Sequence, residues 1–199
     1  VRVMTRTTVT GAYDNGTLGA LERLAPGVAA KDGAPKECFW RIVAKRAVLA
    51  AGALERPIAF ANNDRPGVMT AGAVRAYLNR WCVAPGRRVA IFGNNSDAHR
   101  TAADLLEAGV HVSAPIDARA EATCDLDLPF YPGGQVTNTQ GRKGLESIVL
   151  QTSKGREKVQ TDCLAVSGGW NPTVHLTCHM NGRPTWQDDI AALDRKSVV

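Results

Sequence analysis

The chain has 199 residues, 24 Lys and Arg against 19 Asp and Glu, a formal net charge of +5 and 44% hydrophobic residues. Those proportions suit a globular chain of one domain or two small ones, and apolar runs such as Ala47 to Ala51 fall far short of the ~20 residues of a membrane-spanning helix. The basic residues lie scattered among acids, as at Arg87-Arg88, Arg142-Lys143 and Lys154 to Lys158, so nucleic acid is not an expected partner.

Val1 to Asp14 alternates apolar and polar residues like a strand and turns at Asp14-Asn15-Gly16, a strong hairpin signal, with Thr17 to Leu24 returning. Because the chain opens on Val1 rather than Met, it is expected to begin inside a longer one. After a loop over Ala25 to Lys36, Phe39 to Val43 reads as a strand, and the apolar run Ala47 to Ala51 as another, ending at Gly52. Ala53 to Gly67, with two prolines, two asparagines and Asp64-Arg65, marks a connection, and a domain boundary is placed there. Helical spacing over Met69 to Trp81 is stopped at Pro85-Gly86. Arg88 to Phe92 is a compact strand, followed by the turn Gly93 to Ala98, a helical pattern through Leu106 that ends at Gly109, and a strand over Val110 to Ile116. Strand, glycine turn, helix and strand in about 30 residues make a βαβ unit. Three further strands, around Val136, over Ser147 to Gln151 and over Lys158 to Val166, suit an antiparallel meander. The chain then passes Ser167-Gly168-Gly169 to a short helix with Asn171 as N-cap and Pro172 in its first position, stopped by Asn181-Gly182. The fold class expected is α/β.

A dinucleotide-binding βαβ unit needs a tight turn that lets backbone N–H groups and a helix N-terminus face a pyrophosphate. Gly93 and Ala98 hold the first and third positions of the G-x-G-x-x-G/A pattern, and Asn95 stands in the second. Asn tolerates left-handed backbone geometry better than other non-glycine residues, but its side chain could crowd the phosphate. Asp117 ends the second strand, near the ~20-residue offset of the acid that binds a ribose 2′-OH. That favours NAD over NADP, while Arg119 two residues on leaves NADP open. The other reading of the same motif is an α/β unit with a capping turn and no ligand.

Two more motifs flank this unit. Val48-Leu49-Ala50-Ala51-Gly52-Ala53 with Arg56-Pro57, and Leu164-Ala165-Val166-Ser167-Gly168-Gly169-Trp170-Asn171-Pro172, resemble the paired strand-end glycine motifs of the two-dinucleotide-binding flavoproteins, the pyridine-nucleotide-disulfide reductase superfamily. Within it, Glu55 to Met69, Ala73 to Arg80, Val89 to Ala98 and Ser167 to Leu176 are similar to the α subunit of heterotetrameric sarcosine oxidase, over most of Val1 to Ile190. The resemblance implies a Rossmann-like NAD-binding domain flanked by a partial FAD-type domain. Residues 1–66 belong to the FAD-type part without its N-terminal fingerprint, 67–162 to the NAD-binding domain, and 163–193 to the return into the FAD-type part. Residues 194–199, Asp194 to Val199, are expected to be a non-native tail.

The resemblance further implies a cytoplasmic hetero-oligomer that oxidises sarcosine to glycine with peroxide formation, using FAD and FMN on the complex and tetrahydrofolate on a domain outside this chain. The other subunits are the implied partners. Cofactor contacts are expected at Gly93, Asn94, Asn95, Ser96, Asp97, Ala98 and Asp117, and at Gly52, Gly168 and Gly169. Rival readings are the equivalent subunit of an opine or amino-acid dehydrogenase, and a non-catalytic module that only holds subunits together.

Other candidates weigh less. Cys38, Cys82, Cys124, Cys163 and Cys178 lie far apart with no C-x-x-C, which argues for a reducing compartment and against thiol-redox chemistry. His175, Cys178 and His179 share one helix face, but Leu176 stands where a metalloprotease helix has Glu and no complementary ligands accompany them, so a packing role is expected rather than metal. His99 could touch a phosphate or simply be solvated. No nucleophile triad or carboxylate pair stands out, and no catalytic residue is assigned.

Overall fold

A computed structural model describes residues 2–24, 35–188 and 192–194. The chain divides into two units, Val1–Leu54 with Asn171–Val199, and Glu55–Trp170. The first begins with an antiparallel sheet of β1 (Thr7–Tyr13), β2 (Thr17–Arg23) and β3 (Glu37–Val43), in that order. The Asn-Gly signal does mark a hairpin: Asn15 and Gly16 both have positive φ (55° and 66°) and Thr17 N–H donates to Asp14 O at 3.2 Å, with Asp14, Asn15 and Gly16 forming the loop between paired Tyr13 and Thr17. The expected strand over Ala47 to Ala51 does not form; those residues are exposed, and no described strand pairs with them. The next strand, β4 (Ala53–Glu55), is short.

The second unit is built on a five-stranded parallel sheet. Its strands are β5 (Val68–Thr70), β6 (Arg88–Gly93), β7 (His111–Asp117), β8 (Tyr131–Pro132) and β12 (Cys163–Ser167), in the order β5-β12-β6-β7-β8. Two helices cover one face. α1 (Ala71–Trp81) starts two residues later than the spacing predicts, because Val68–Thr70 is drawn into the sheet beside β12. Glu55 Oε2 accepts the Gly72 N–H at 2.6 Å, placing a carboxylate at the positive end of the helix dipole. The helix ends at Cys82 (φ 54°), whose N–H and that of Val83 close on Leu78 and Tyr77 carbonyls. This left-handed C-terminal cap stops it three residues before Pro85. α2 (Ser96–Glu107) buries Ala98, Thr101, Ala102 and Leu105, the i, i+3, i+4, i+7 stripe of a helix lying on a core. Arg75 ties the helices together, its Nε 3.0 Å from Asp104 and its Nη1 3.3 Å from Asp97.

The other face is covered by the meander β9 (Gln135–Gln140), β10 (Ser147–Thr152) and β11 (Gly155–Gln160), paired in the order β11-β10-β9. The sheet thus divides two cores. Val89, Ile91, Val112, Cys163 and Ala165 face the helices, whereas Ala90, Phe92, Ala114, Ile116, Leu164 and Val166 meet Val136, Ile148 and Leu150 of the meander. Each fully buried Ile or Leu contributes about 1.5–3 kcal/mol.

The single strand expected over Lys158 to Val166 is two. β11 alternates exposed and half-buried residues and belongs to the meander, while β12 is buried throughout and belongs to the parallel sheet. Thr161 and Asp162 make the change of sheet. Thr161 Oγ1 accepts the Ala90 N–H (3.0 Å) and lies 2.6 Å from Arg88 O, and Asp162 Oδ1 accepts the Arg88 N–H (2.8 Å). These bonds pin the new strand to β6.

Past the sheet the chain returns to the first unit through β13 (Trp170–Pro172). Asn171 and Pro172 are therefore strand residues and not the start of a helix. The Thr173 N–H extends this path by bonding Gly52 O at 2.9 Å, and α3 (His175–Cys178) is a single turn beginning after Val174. A ribbon of β14 (Thr185–Gln187) and β15 (Ala192–Asp194) follows; residues 195–199 of the expected tail lie outside the described residues. No helix among the described residues is long and apolar enough to cross a membrane.

Candidate functional site

In an open parallel sheet, ligands bind outside the carboxyl ends of the strands where the strand order changes direction. Here that point lies between β6, which leads through α2 to β7 on one side, and β12 on the other. Gly93 ends β6 and is in register with Ser167 of β12 and Asp117 of β7. One line across three neighbouring strands thus holds the glycine turn, Ser167 and the acid.

Gly93 is fixed by packing. A Cβ there would stand 2.6 Å from the Ala98 Cβ and 3.3 Å from Ser167 O, so the bare backbone lets α2 start directly against the strand end. Asn94 N–H donates to Ser167 O at 3.2 Å. Asn95 does not adopt the left-handed geometry that its position suggested; its backbone is extended (φ −151°). Its side chain caps α2, with Oδ1 accepting the Ala98 N–H (3.2 Å), while Nδ2 donates to Ser167 O (3.2 Å) and Oγ (3.1 Å). The amide that could have crowded a phosphate is bound to the protein. Ser96 and Asp97 open the helix, and the first N–H groups of a helix have no partner within it. Asp97 is drawn sideways: its Oδ1 meets Arg75 and Arg100, and Oδ2 accepts the Trp170 indole N–H at 3.2 Å.

Asp117 is fully buried. Its Oδ1 accepts the Arg119 backbone N–H (2.9 Å) and Nε–H (3.0 Å), and its Oδ2 accepts the Arg119 Nη2–H at 2.8 Å. The His99 Nε2 also lies 3.0 Å from Oδ2, but without hydrogen-bond alignment. Burial is the largest influence and raises the Asp117 pKa, yet the Arg119 hydrogen bonds and the charges of Arg119 and His99 outweigh it, holding the carboxyl below its ordinary value. Arg119, about one third exposed, is the charged group that faces outward from this corner, with Nη2 3.5 Å from Ser96 Oγ.

The Gly168-Gly169 turn lies beside Arg56. The Gly168 N–H donates to Arg56 O (2.6 Å) and the Arg56 N–H to Gly169 O (2.8 Å), and a Cβ on Gly168 would stand 2.9 Å from Arg56 O. A cleft of about 150 Å³, lined by Pro57, Ile58, Asn63, Thr70 and Val166 among others, opens at the ends of β5 and β12. Gly52 belongs to the first unit, with φ 70° and open space around its Cβ position. Gly93 to Ala98, Asp117, Gly168 and Gly169 therefore all belong to the parallel-sheet unit.

The remaining candidates sit elsewhere. His179 Nδ1 accepts the Ala12 N–H at 3.3 Å, Cys178 is exposed, and no group of three metal-ligating side chains occurs among the described residues. Burial pushes the Cys163 thiol up to about 12. Ser167, the docking point for Asn95, was not singled out from sequence; its register with Gly93 is visible only once β12 is placed in the parallel sheet.

No family model matches the chain. The sarcosine oxidase α subunit of Rhizobium meliloti (strain 1021) is 44% identical over 195 residues, covering 96% of this chain and 20% of that protein. The chain belongs to the sarcosine oxidase α-subunit family. It spans about one fifth of the length of the curated relatives it matches. Among solved structures, L-proline dehydrogenase from P. horikoshii superimposes with a TM-score of 0.65 at 22% identity, over 95% of this chain and 32% of that one. An FAD-dependent pyridine nucleotide-disulphide oxidoreductase from Desulfovibrio vulgaris gives 0.60 at 12% identity, over 94% of this chain and 52% of that one. At these identities the likeness shows the fold alone, which agrees with the α/β architecture described above.

Proposed function

We propose that this chain is the NAD-binding part of the α subunit of a sarcosine-oxidase-like flavoenzyme, which oxidatively demethylates sarcosine to glycine and forms peroxide. In this reading residues 67–162 are the NAD-binding domain, and 1–66 and 163–193 contribute to an FAD-type domain. FAD and FMN act on the full complex, tetrahydrofolate on a domain outside this chain, and the assembly is cytoplasmic and hetero-oligomeric. The observation that carries the proposal is the turn Gly93 to Ala98 at the strand-order change, with its second-position side chain folded back onto Ser167.

The residues present fit a dinucleotide. The Asn95 amide is taken up by the cap and Ser167, which leaves the backbone N–H groups of Ser96 and Asp97 at the positive end of α2 for a pyrophosphate. Asp117 anchors the ribose corner: it holds the Arg119 guanidinium, which stands next to Ser96. The cleft at Ile58 and Val166 lies at the ends of β5 and β12, on the other side of β12 from the turn. Bound NAD would supply a hydride acceptor. The chain's own residues bind and orient it.

One observation favours the non-catalytic module. Both Asp117 oxygens are already engaged by Arg119, so ribose hydroxyls would have to share or displace that guanidinium. Calorimetric titration of the chain with NAD⁺ and NADP⁺ separates the two readings. Saturable binding of NAD⁺, weakened in Arg119→Ala, is the expected result; no binding of either nucleotide would leave the module reading.

A further inference from the structure

α1 and α2 cover the same face of the parallel sheet, and each has a carboxylate near its start, where the first N–H groups of a helix lack partners within it. The two carboxylates are used differently. At α1 the second N–H, that of Gly72, donates to Glu55 Oε2 at 2.6 Å, the placement of negative charge that a helix dipole favours. At α2 the carboxylate is the helix's own Asp97, in its second position. It is the group best placed to do for the Ser96 and Asp97 N–H groups what Glu55 does for Gly72, yet both of its oxygens are committed elsewhere.

Arg75 of α1 takes the first oxygen, with Nη1 3.3 Å from Asp97 Oδ1. Arg75 is itself anchored, because its Nε lies 3.0 Å from Asp104 Oδ2, which also accepts the Asn79 Nδ2–H at 2.8 Å. Asp97 and Asp104 stand two helical turns apart on one side of α2, and the guanidinium spans them. Its pairing with Asp97 joins side chains that are 25% and 29% exposed, so it is screened less than an open surface pair. Arg100, 3.5 Å from the same oxygen but 72% exposed, adds little. Trp170 takes the second oxygen through its indole N–H at 3.2 Å. A Cβ on Gly72 would stand 3.0 Å from Trp170 Cη2, so the glycine near the start of α1 makes room for the ring that reaches Asp97.

This arrangement decides what the start of α2 can offer. Asn95 Oδ1 takes the Ala98 N–H, which leaves those of Ser96 and Asp97. A carboxylate free to turn toward them would occupy these donors and set its own charge against an arriving phosphate. Drawn sideways, Asp97 leaves the donors open and has its charge matched by Arg75.

We propose that Arg75 and Trp170 are positioning residues for the dinucleotide site: by holding the Asp97 carboxylate against the side of α2, they keep the Ser96 and Asp97 N–H groups free for the pyrophosphate. The proposal rests on the reading of Gly93 to Ala98 as that site. Neither residue touches the nucleotide in this role; both act through Asp97.

Calorimetric titration of the whole chain with NAD⁺ tests it in a double-mutant cycle. Arg75→Gln keeps a side chain able to bond Asp104 and removes the charge on Asp97, so it should weaken binding about tenfold. With Asp97→Asn already in place, the same substitution should change affinity by less than about twofold. Trp170→Phe keeps a ring over Gly72 and loses the N–H; it should weaken binding about threefold, and this loss too should vanish beside Asp97→Asn. A role confined to tying α1 to α2 through Asp104 would lower affinity equally in both backgrounds. Wild-type binding that Arg75→Gln leaves unchanged, or a loss of the same size with and without Asp97→Asn, overturns the proposal while the dinucleotide reading stands. A wild type that binds no NAD⁺ overturns both.

Discussion

Converting Asn95 to Gly would restore the glycine that the dinucleotide fingerprint expects, and it should make the protein worse. Asn95 caps α2 through Ala98 N–H and donates to both Ser167 O and Oγ. Gly loses little as an N-cap, a few tenths of a kcal/mol. The two bonds to Ser167 are worth about 0.5–1.5 kcal/mol each. Because φ at position 95 is −151°, Gly relieves no strain and adds freedom to the unfolded chain. The sum is a loss of about 1.5–3.5 kcal/mol, a fall in Tm of roughly 3–14 °C at this size. Asn95→Asp keeps the capping oxygen and loses both donors, so its loss should approach that of Gly, offset by about 0.3–1 kcal/mol from a charge at the helix N-terminus. Asn95→Ala, which loses cap and donors together, should be lowest. Urea denaturation of the four proteins measures the order. NAD⁺ affinity should not improve in Asn95→Gly, since the side-chain amide is already held by Ala98 and Ser167. A Gly variant as stable as wild type, or one that binds NAD⁺ more tightly, would refute this account of the turn.

Gly93→Ala should cost about 1–3 kcal/mol by overpacking, since its Cβ would stand 2.6 Å from the Ala98 Cβ; Ala98→Gly in the same chain should recover part of that loss in a double-mutant cycle. Asp117 has a lowered pKa in the fold, so its contribution is present above the unfolded carboxylate value of about 3.9 and is lost as pH falls through the lower folded value. Asp117→Asn should therefore flatten the decline in stability below about pH 5, read from denaturation midpoints over that range. Cys163, buried with its thiol pushed up to about 12, should resist an aromatic disulfide reagent until the protein unfolds, whereas exposed Cys82 and Cys178 react at once. The isolated chain is expected not to oxidise sarcosine; peroxide formation by this chain alone would contradict that.

Local signals in the sequence carried most of the elements. Asn15-Gly16 set its hairpin because both residues accept positive φ, and the apolar stripe of α2 and the βαβ order of β6, α2 and β7 followed from periodicity. The departures share a cause in pairing across distance. Residues 158–166 read as one strand because no Gly or Pro interrupts them, yet Thr161 and Asp162 bond to β6 and send the second half into another sheet. Trp170–Pro172 carries good helix-start residues, but it is held extended, and Ala47 to Ala51 has strand composition with no described strand beside it. In the site, the spacing of Gly93, Ala98 and Asp117 was readable, whereas the fate of two side chains was not. Whether Asn95 obstructs the turn depends on Ser167, 72 residues away, and the engagement of Asp117 by Arg119 depends on how the chain turns after β7.

The central claim is that the turn from Gly93 to Ala98 receives a dinucleotide. Amide hydrogen exchange of the chain with and without saturating NAD⁺ tests it most directly, because it reports binding and its location together. The account predicts slowed exchange at Asn94 to Ala98 and around Asp117 to Arg119, with β1 to β3 unchanged. Unchanged exchange at the turn, or protection confined to other segments, would contradict it.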